Sequence, residues 1–437
     1  MAFEAWAPCW VLWRRRWLSF FWCGTCWLRS ERTLRGEFSV PPEGGRMTPG
    51  SYDVVVVGAG MLGASAARHL ADGGCAVALV GEAEPADPKV HDGVFASHHD
   101  IGRVSRTIDP DPVRAWLGYR SAAQFADLAT RTGVQTVYGV GHLWVEAADG
   151  LEALVAADRR FSLGCIRRNA ADTMVAMPYL FLPEELETLW EPAPAGWVDP
   201  RAYVRSEKAA LEAAGATVLE ALVGSVVLVD GAVEVRTESE TVVGNRVLLA
   251  TGAFSGFGET PAAGLDVEYA LHTQRYLQLD DDEAARLAGM PSIIAKSPDP
   301  DEDFYLTPPI VDPQGRTVLK VGKPQDDHVR VSATDLAAWY RTDGDPTFAV
   351  RLDRTVGGLL PGLRWLDRWM TSCVTTYTPT GHPMIDALDD RVFCCIGGNG
   401  YAAKCAPALG ELAAGILLGN SWPSEVDRDL FRASFAA

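Results

Sequence analysis

The chain has 437 residues, 48% of them hydrophobic, and a mean hydropathy of +0.01, which is typical of a globular protein large enough for two domains. Its formal net charge of −18 argues against nucleic acid or an anionic membrane as a partner. The nine cysteines follow no regular spacing, and Cys23-x-x-Cys26 lacks the second ligand pair of a zinc site. We therefore expect a cytoplasmic protein with reduced thiols and no bound metal.

The first 46 residues differ in composition from the rest. They contain six of the 14 tryptophans and seven arginines, against four glutamates and no aspartate or lysine. Arg14-Arg15-Arg16 and the apolar run that follows resemble a signal peptide, but the run is shorter than the ~20 residues of a transmembrane helix. We expect residues 1–50 to be an atypical extension outside the fold, either untranslated, with Met47 as the start, or disordered. A targeting segment is the alternative.

The first predicted element of the fold is a strand that leads into a glycine motif. The run Asp53–Val57 is followed by Gly58-x-Gly60-Met61-x-Gly63 and then by a helical pattern over Ala64–Leu70. This order predicts a dinucleotide-binding βαβ unit, because the three glycines allow a tight turn, close approach to a pyrophosphate and close helix packing. The amides at the start of the helix would then bind the phosphates.

The second predicted strand, Cys75–Val80, ends without the acidic residue that usually binds the ribose of a dinucleotide. Gly81 stands at that position, and we expect the next residue, Glu82, to serve instead.

Two later stretches resemble the βαβ unit in pattern. Residues 199–252 predict the helix Pro200–Ala213 and a buried strand that ends at Gly252, and residues 372–418 predict a strand, a glycine turn and a helix. We therefore predict an α/β fold in which a Rossmann-like FAD-binding domain (51–110, 199–264 and 361–437) carries an inserted α+β substrate domain (111–198 and 265–360) on a mixed or antiparallel sheet. Such an interrupted nucleotide domain favours FAD over NAD.

Four motifs outside the glycine turn carry a family resemblance. They are Ser97–Arg106, Val318–Gly322, Ser372–Asp386 and Gly397–Lys404. Over residues 52–420 the chain resembles the D-amino-acid-oxidase superfamily of flavoproteins, and most closely the group of monomeric sarcosine oxidase and N-methyltryptophan oxidase.

The resemblance gives roles to the residues of the first motif. It implies that His98 and Arg103 contact the cofactor, that His99 lies in the active site beside the flavin, and that Arg106 binds the substrate carboxylate. A guanidinium suits that role because its planar fork pairs with a carboxylate through two hydrogen bonds and stays charged.

The resemblance also assigns residues to the flavin and to oxygen. It implies that Cys373 joins FAD as a thioether, that Lys320 activates O2 beside the flavin, and that Tyr305 lines the substrate pocket. A cysteine thiolate is a suitable nucleophile for the first role, and an ammonium stabilises charge that develops on oxygen. A family tyrosine is Thr375 here, and a family histidine is Pro324, so the pocket is expected to differ.

The resemblance implies that the last motif contacts both the flavin and the substrate. Gly397 and Gly400 would approach the flavin, and Lys404 would be the second cation on the substrate carboxylate. Tyr401 and Ala402 replace a family histidine and glycine, which again indicates a substrate other than sarcosine.

We therefore predict a monomeric FAD-dependent oxidase of a secondary, N-methylated or cyclic amino acid. Hydride transfer to flavin N5 would give an imine, and O2 would become H2O2; no strong general base and no nucleic-acid or membrane partner are expected. One alternative is an amino-acid dehydrogenase of the same fold that uses a quinone or a protein as electron acceptor. Another is an NAD(P)-binding or nucleotide-sensing protein.

Overall fold

The computed structural model describes residues 51–323 and 327–436. The expectations for residues 1–50 and for Pro324 lie outside these ranges. The described residues form three sheets, and none of their helices has the length and apolar character needed to cross a membrane.

The first sheet is built on the predicted βαβ unit. Five of its strands run parallel, in the order β9 (Thr217–Glu220), β2 (Val77–Gly81), β1 (Ser51–Val57), β12 (Thr241–Leu249) and β20 (Val392–Ile396). Three more pair antiparallel: β10 (Val223–Val229), β11 (Ala232–Thr237) and β19 (Met384–Ala387). Alternate valines of β1 enter apolar cores on opposite faces, so both faces of the sheet are covered, as parallel strands require.

The helices of the described residues surround these sheets. They are α1 (Met61–Asp72), α2 (Pro112–Thr132), α3 (Glu152–Phe161), α4 (Ala170–Ala176), α5 (Pro200–Ala213), α6 (Asp281–Arg286), α7 (Ala333–Tyr340), α8 (Pro346–Leu359) and α9 (Ala402–Leu418), with short 3-10 turns at Gly252–Phe254, Pro300–Glu302 and Arg428–Phe431. Helices α1, α2, α5 and α9 share one core on the first sheet. Helix α5 has the predicted bounds, and the Asp199 carboxylate fixes its start by capping its first amides.

The second sheet is mixed. Its nine strands are β5 (His142–Ala147), β6 (Ile166–Asn169), β7 (Leu186–Glu191), β13 (Glu268–Gln278), β14 (Ser292–Ala295), β15 (Phe304–Leu306), β16 (Ile310–Val311), β17 (Thr317–Gly322) and β18 (Asp367–Tyr377). Only β5 and β14 pair in parallel among them. A third, small sheet contains β3 (Arg103–Ser105), β8 (Gly196–Val198) and β4 (Val137–Tyr138).

The two faces of the second sheet differ, because side chains alternate along each strand. Leu143, Val145, Leu319 and Val321 point into an apolar core. The opposite face presents polar and aromatic side chains: His142, Trp144, Glu146, His272, Gln274, Tyr276, Tyr305, Lys320 and Cys373. This polar face positions the site.

The predicted α/β class with a mixed second sheet is confirmed. Strand β18 lies within 361–437, which we assigned to the FAD-binding domain, yet it pairs along its whole length with β13 of the second sheet. The domain boundaries themselves stay a prediction.

Candidate active site

A cavity of about 640 Å³ lies between the carboxyl ends of the parallel strands and the polar face of the second sheet. This edge is where open α/β sheets bind ligands. Fourteen of the sixteen predicted site residues line it: Gly58, Gly60, Met61, Glu82, His98, His99, Arg103, Arg106, Gly252, Tyr305, Cys373, Gly397, Gly400 and Lys404. Gly63 and Lys320 are not part of the lining.

The glycine motif forms an open cradle at one end of the cavity. Gly58 has a φ of +106°, and a Cβ there would overlap the carbonyl oxygen of Ala250. A Cβ at Gly63 would overlap the carbonyl of Gly58, so this residue serves helix packing. Gly60 is the N-cap of α1 and has no side chain, and the first turn of α1 has no acidic residue. The amides at this end therefore remain available for phosphate.

The end of β2 explains the missing acidic residue. A Cβ at Gly81 would overlap the backbone of Ala59, so no side chain fits at that position. The carboxylate of Glu82 lines the cavity instead, accepts a hydrogen bond from the Val94 amide at 2.9 Å, and lies 3.6 Å from Nε2 of His91.

Two neutral histidines line the cavity next to the cradle. Burial is the main reason that the pKa of His98 lies well below its ordinary value, and burial together with Arg201 lowers the pKa of His99 to about 4. Nδ1 of His99 is buried and has no hydrogen-bond partner among the described residues. An orphan ring nitrogen beside a phosphate cradle fits a large polar cofactor such as FAD.

Arg103 connects this wall to Cys373. The guanidinium donates to the carbonyl of Ser97 at 2.5 Å and to Sγ of Cys373 at 3.6 Å. Cys373 is 3% exposed and lines the cavity. The guanidinium thus places a positive charge next to the sulfur.

Lys320 lies just behind the cavity wall and is completely buried. Its ammonium binds the Asp100 carboxylate and donates to the carbonyl of Gly102 at 2.9 Å. Asp100 also pairs with Arg103 at 2.8 Å and accepts from Tyr276. Burial lowers the pKa of Lys320 to about 8, although Asp100 acts in the opposite direction.

Tyr305 and Gly322 are opposite each other on β15 and β17. The ring of Tyr305 lies over Gly322, where a Cβ would overlap the phenol, and its centroid is 5.9 Å from Nζ of Lys320. The glycine in the predicted Lys-Val-Gly sequence is therefore needed to seat the ring in the cavity wall.

Gly322→Ala should displace Tyr305 from this position. We expect the free energy of unfolding to fall by about 1–3 kcal/mol, the usual cost of an extra methyl in a filled space, and the substrate KM to rise. Urea unfolding and steady-state kinetics measure both. Gly256→Ala, where the space is open, is the matched control. Unchanged stability and KM in Gly322→Ala would mean that the ring lies elsewhere.

Arg106 and Lys404 meet at one buried carboxylate. Oδ2 of Asp109 accepts from Nη2 of Arg106 at 3.0 Å and from Nζ of Lys404 at 2.9 Å. Burial opposes ionisation, but the two cations lower the pKa of Asp109. Nε of Arg106 is buried and has no hydrogen-bond partner among the described residues. We call Arg106, Lys404 and Asp109 the clamp. It has two cations, one carboxylate between them, and one N–H donor, Nε of Arg106, that remains available.

A second buried carboxylate positions this clamp. Glu191 of β7 is 3% exposed and accepts from the amides of Thr107 and Ile108, at 2.9 to 3.1 Å. Burial raises the pKa of Glu191, while these amides lower it. The turn between Arg106 and Asp109 is thereby fixed.

Sequence reasoning missed several residues of the cavity. Trp144 and Glu146 project from β5, and the centroid of the Trp144 ring is 5.2 Å from Cζ of Arg106. Lys296 and Asp303 form an ion pair of 2.6 Å in the lining. The alternation of polar and apolar residues along 142–146 was the available signal for β5.

Comparison with known proteins identifies the family of this chain. The family model described as FAD dependent oxidoreductase matches residues 53–416. The chain belongs to that family. N-methyl-L-tryptophan oxidase of Yersinia pestis (strain Pestoides F) is 24% identical to this FAD-dependent oxidoreductase over 396 residues, which cover 87% of the chain and 98% of that protein. The protein of the same name from Yersinia pseudotuberculosis serotype O:1b (strain IP 31758) matches equally.

Solved structures support the same fold. NikD, described as an unusual amino acid oxidase essential for nikkomycin biosynthesis, is similar with a TM-score of 0.69 and 19% identity over 89% of this chain and 98% of NikD. L-proline dehydrogenase from P. horikoshii has a TM-score of 0.68 and 18% identity over 86% of this chain and 95% of that one. The predicted family resemblance and the predicted class, an FAD-dependent oxidoreductase of the amino-acid-oxidase kind, are confirmed.

Proposed function

We propose that the protein is an FAD-dependent oxidase of a secondary, N-methylated or cyclic amino acid. One observation carries the proposal: Arg106 and Lys404 converge on a single carboxylate in the cavity that contains the glycine cradle. Two cations that both reach one carboxylate oxygen, together with the free Nε of Arg106, can also hold the carboxylate of an amino acid. The names of the N-methyl-L-tryptophan oxidases support the N-methylated class.

The cofactor would be held by residues at both ends of the cavity. Gly58, Gly60 and the amides at the start of α1 would bind the pyrophosphate, Glu82 the ribose, and His98, His99 and Arg103 the ring end. When bound, FAD supplies a hydride acceptor and, once reduced, an electron donor to O2.

The chain's own residues supply position rather than a strong base. Arg106 and Lys404 orient the carboxylate, so that the carbon beside the amine nitrogen is held in one place. Burial raises the pKa of Tyr305, so its phenol stays protonated and lines the pocket as a hydrogen-bond donor. A substrate amine in its neutral form can lose hydride directly, and the imine product then hydrolyses in water.

We propose Cys373 as the attachment point of FAD. Cys395 also lines the cavity, but burial raises the pKa of its thiol, whereas Cys373 has the Arg103 guanidinium beside it. Acid precipitation should leave yellow colour in the pellet of the wild type and of Cys395→Ala, and none in the pellet of Cys373→Ala. Colour that stays with the Cys373→Ala pellet, or leaves the wild-type pellet, would contradict the assignment.

A dehydrogenase is the second candidate function. The observation that favours it is the pairing of Lys320 with Asp100 behind the lining, which reduces the charge available for reaction with O2. Such an enzyme would pass its electrons to a quinone or a protein.

Peroxide release tests the oxidase proposal. The purified protein is incubated with N-methyl and cyclic amino acids in air, and H2O2 is measured with a peroxidase-coupled dye. We expect release with at least one of these classes, and far slower release with the corresponding N-methyl amines that lack a carboxylate. Turnover that appears only with an added quinone would support the dehydrogenase.

A further inference from the structure

Glu146 is the feature of the cavity that the proposed function leaves unused. It is half-buried, lines the cavity, and lies on the same face of β5 as Trp144. Gly150 leaves room for it, since a Cβ there would overlap the carboxylate. Oε2 accepts from Nε1 of Trp144 at 2.8 Å, which fixes the orientation of the group. No described residue donates a hydrogen bond to Oε1.

The charges around the cavity make Glu146 unusual. Among the described residues, four carboxylates line it: Glu82, Asp109, Glu146 and Asp303. The other three each lie beside a basic side chain, as described above, whereas Glu146 forms no ion pair within the described residues. Lys296 directly follows the neighbouring strand β14, but Asp303 holds its ammonium at 2.6 Å. Glu187, opposite Glu146 on β7, pairs with Arg167 at 2.6 Å and supplies no cation.

The two ends of this part of the cavity are therefore suited to groups of opposite charge. At one end Nε of Arg106 has no hydrogen-bond partner among the described residues and can donate to a carboxylate, and at the other end Glu146 is a carboxylate without a cation beside it. Trp144 connects them, because Arg106 lies over its ring and Glu146 accepts from its nitrogen. A ligand with its carboxylate on Arg106 and a chain that passes the indole would reach Glu146.

We propose that Glu146 binds a cationic group at the end of the substrate side chain. The preferred substrates would then be secondary amino acids whose side chain ends in an ammonium or guanidinium group. This inference rests on the proposed function and names its substrate class. A hydrogen bond between charged groups at a half-buried site should give about a tenfold preference over an equally long neutral side chain.

Two substrates with side chains of equal length test the proposal: Nα-methyl-L-lysine and the Nα-methyl derivative of L-2-aminoheptanoate. We expect kcat/KM to be about tenfold higher for the lysine derivative in the wild type. The ratio should fall to about one in Glu146→Gln, whose amide oxygen can still accept from Trp144. Glu187→Gln, a carboxylate on the adjacent strand outside the cavity lining, should keep the tenfold ratio. Glu146→Lys should turn the preference towards Nα-methyl-L-glutamate.

The outcomes separate this inference from the proposed function. Oxidation of both substrates at equal kcat/KM in the wild type, or an equal loss for both in Glu146→Gln, would overturn the role of Glu146 and leave the oxidase intact. If neither substrate nor any other N-methyl or cyclic amino acid is oxidised, the proposed function is wrong. Calorimetric binding of 6-aminohexanoate against hexanoate then decides the role of Glu146: a preference lost in Glu146→Gln supports it, and equal affinity overturns it.

Discussion

Replacing Lys320 by methionine should slow the reaction of the reduced enzyme with O2 by about two to three orders of magnitude, while anaerobic flavin reduction by substrate changes little. The ammonium is the buried cation next to Tyr305, and losing a preorganised positive group opposite a developing anion has effects of this size. Stopped-flow absorbance separates the two half-reactions. Lys323→Met, at a lysine that lines the cavity and pairs with Asp301, is the matched control.

The same group predicts a pH dependence. Burial lowers the pKa of Lys320 to about 8 against the effect of Asp100, so the positive charge is lost as pH rises through about 8. The rate of reaction with O2 should fall over that range in the wild type and should not change with pH in Lys320→Met.

The two half-reactions also separate a role in oxygen chemistry from a structural role. An equal loss of both in Lys320→Met would show that Lys320 acts on the structure, through Asp100, and not on oxygen.

Arg106→Met and Lys404→Met should each lower kcat/KM for the amino acid by about 10²- to 10³-fold. Each substitution removes one of the two cations proposed to bind the substrate carboxylate and leaves Asp109 with a single cation beside it. Steady-state kinetics measures the change, and most of it should be in KM. Arg120→Met, at an exposed arginine that pairs with Glu411, is the control and should have the activity of the wild type.

A second substrate separates binding from folding defects in these variants. We expect an N-methyl amine without a carboxylate to be a poor substrate of the wild type, and the two variants should oxidise it as slowly as the wild type does. If both variants lose activity with the amine to the same degree as with the amino acid, the clamp does not hold the carboxylate.

Local pattern was enough to predict most elements of the first sheet. The valine run, the glycine turn and the Asp199-Pro200 start of α5 each depend on a few neighbouring residues, and each appears where expected. The pairing of β18 with β13 could not be predicted in this way, because two strands about 100 residues apart along the chain determine it.

The same distinction holds for the site. The motifs identified the residues of the lining, but not which charges they meet: Lys320 and Asp100 are 220 residues apart, and Lys404 and Asp109 are 295 apart. Such pairings arise from tertiary contact and leave no local signal. Gly81 is a different case. The sequence shows that the usual acidic residue is absent there, but the reason, an overlap of any side chain with the Ala59 backbone, is visible only in the structure.

Anaerobic titration of the purified protein with a secondary amino acid tests whether it is a flavin-dependent amino-acid oxidase. We expect a flavin spectrum, bleaching of the flavin absorbance on addition of an N-methyl or cyclic amino acid without oxygen, and return of the colour with H2O2 when air is admitted. A colourless protein, or a flavin that no such amino acid bleaches, would show that the proposed function is wrong.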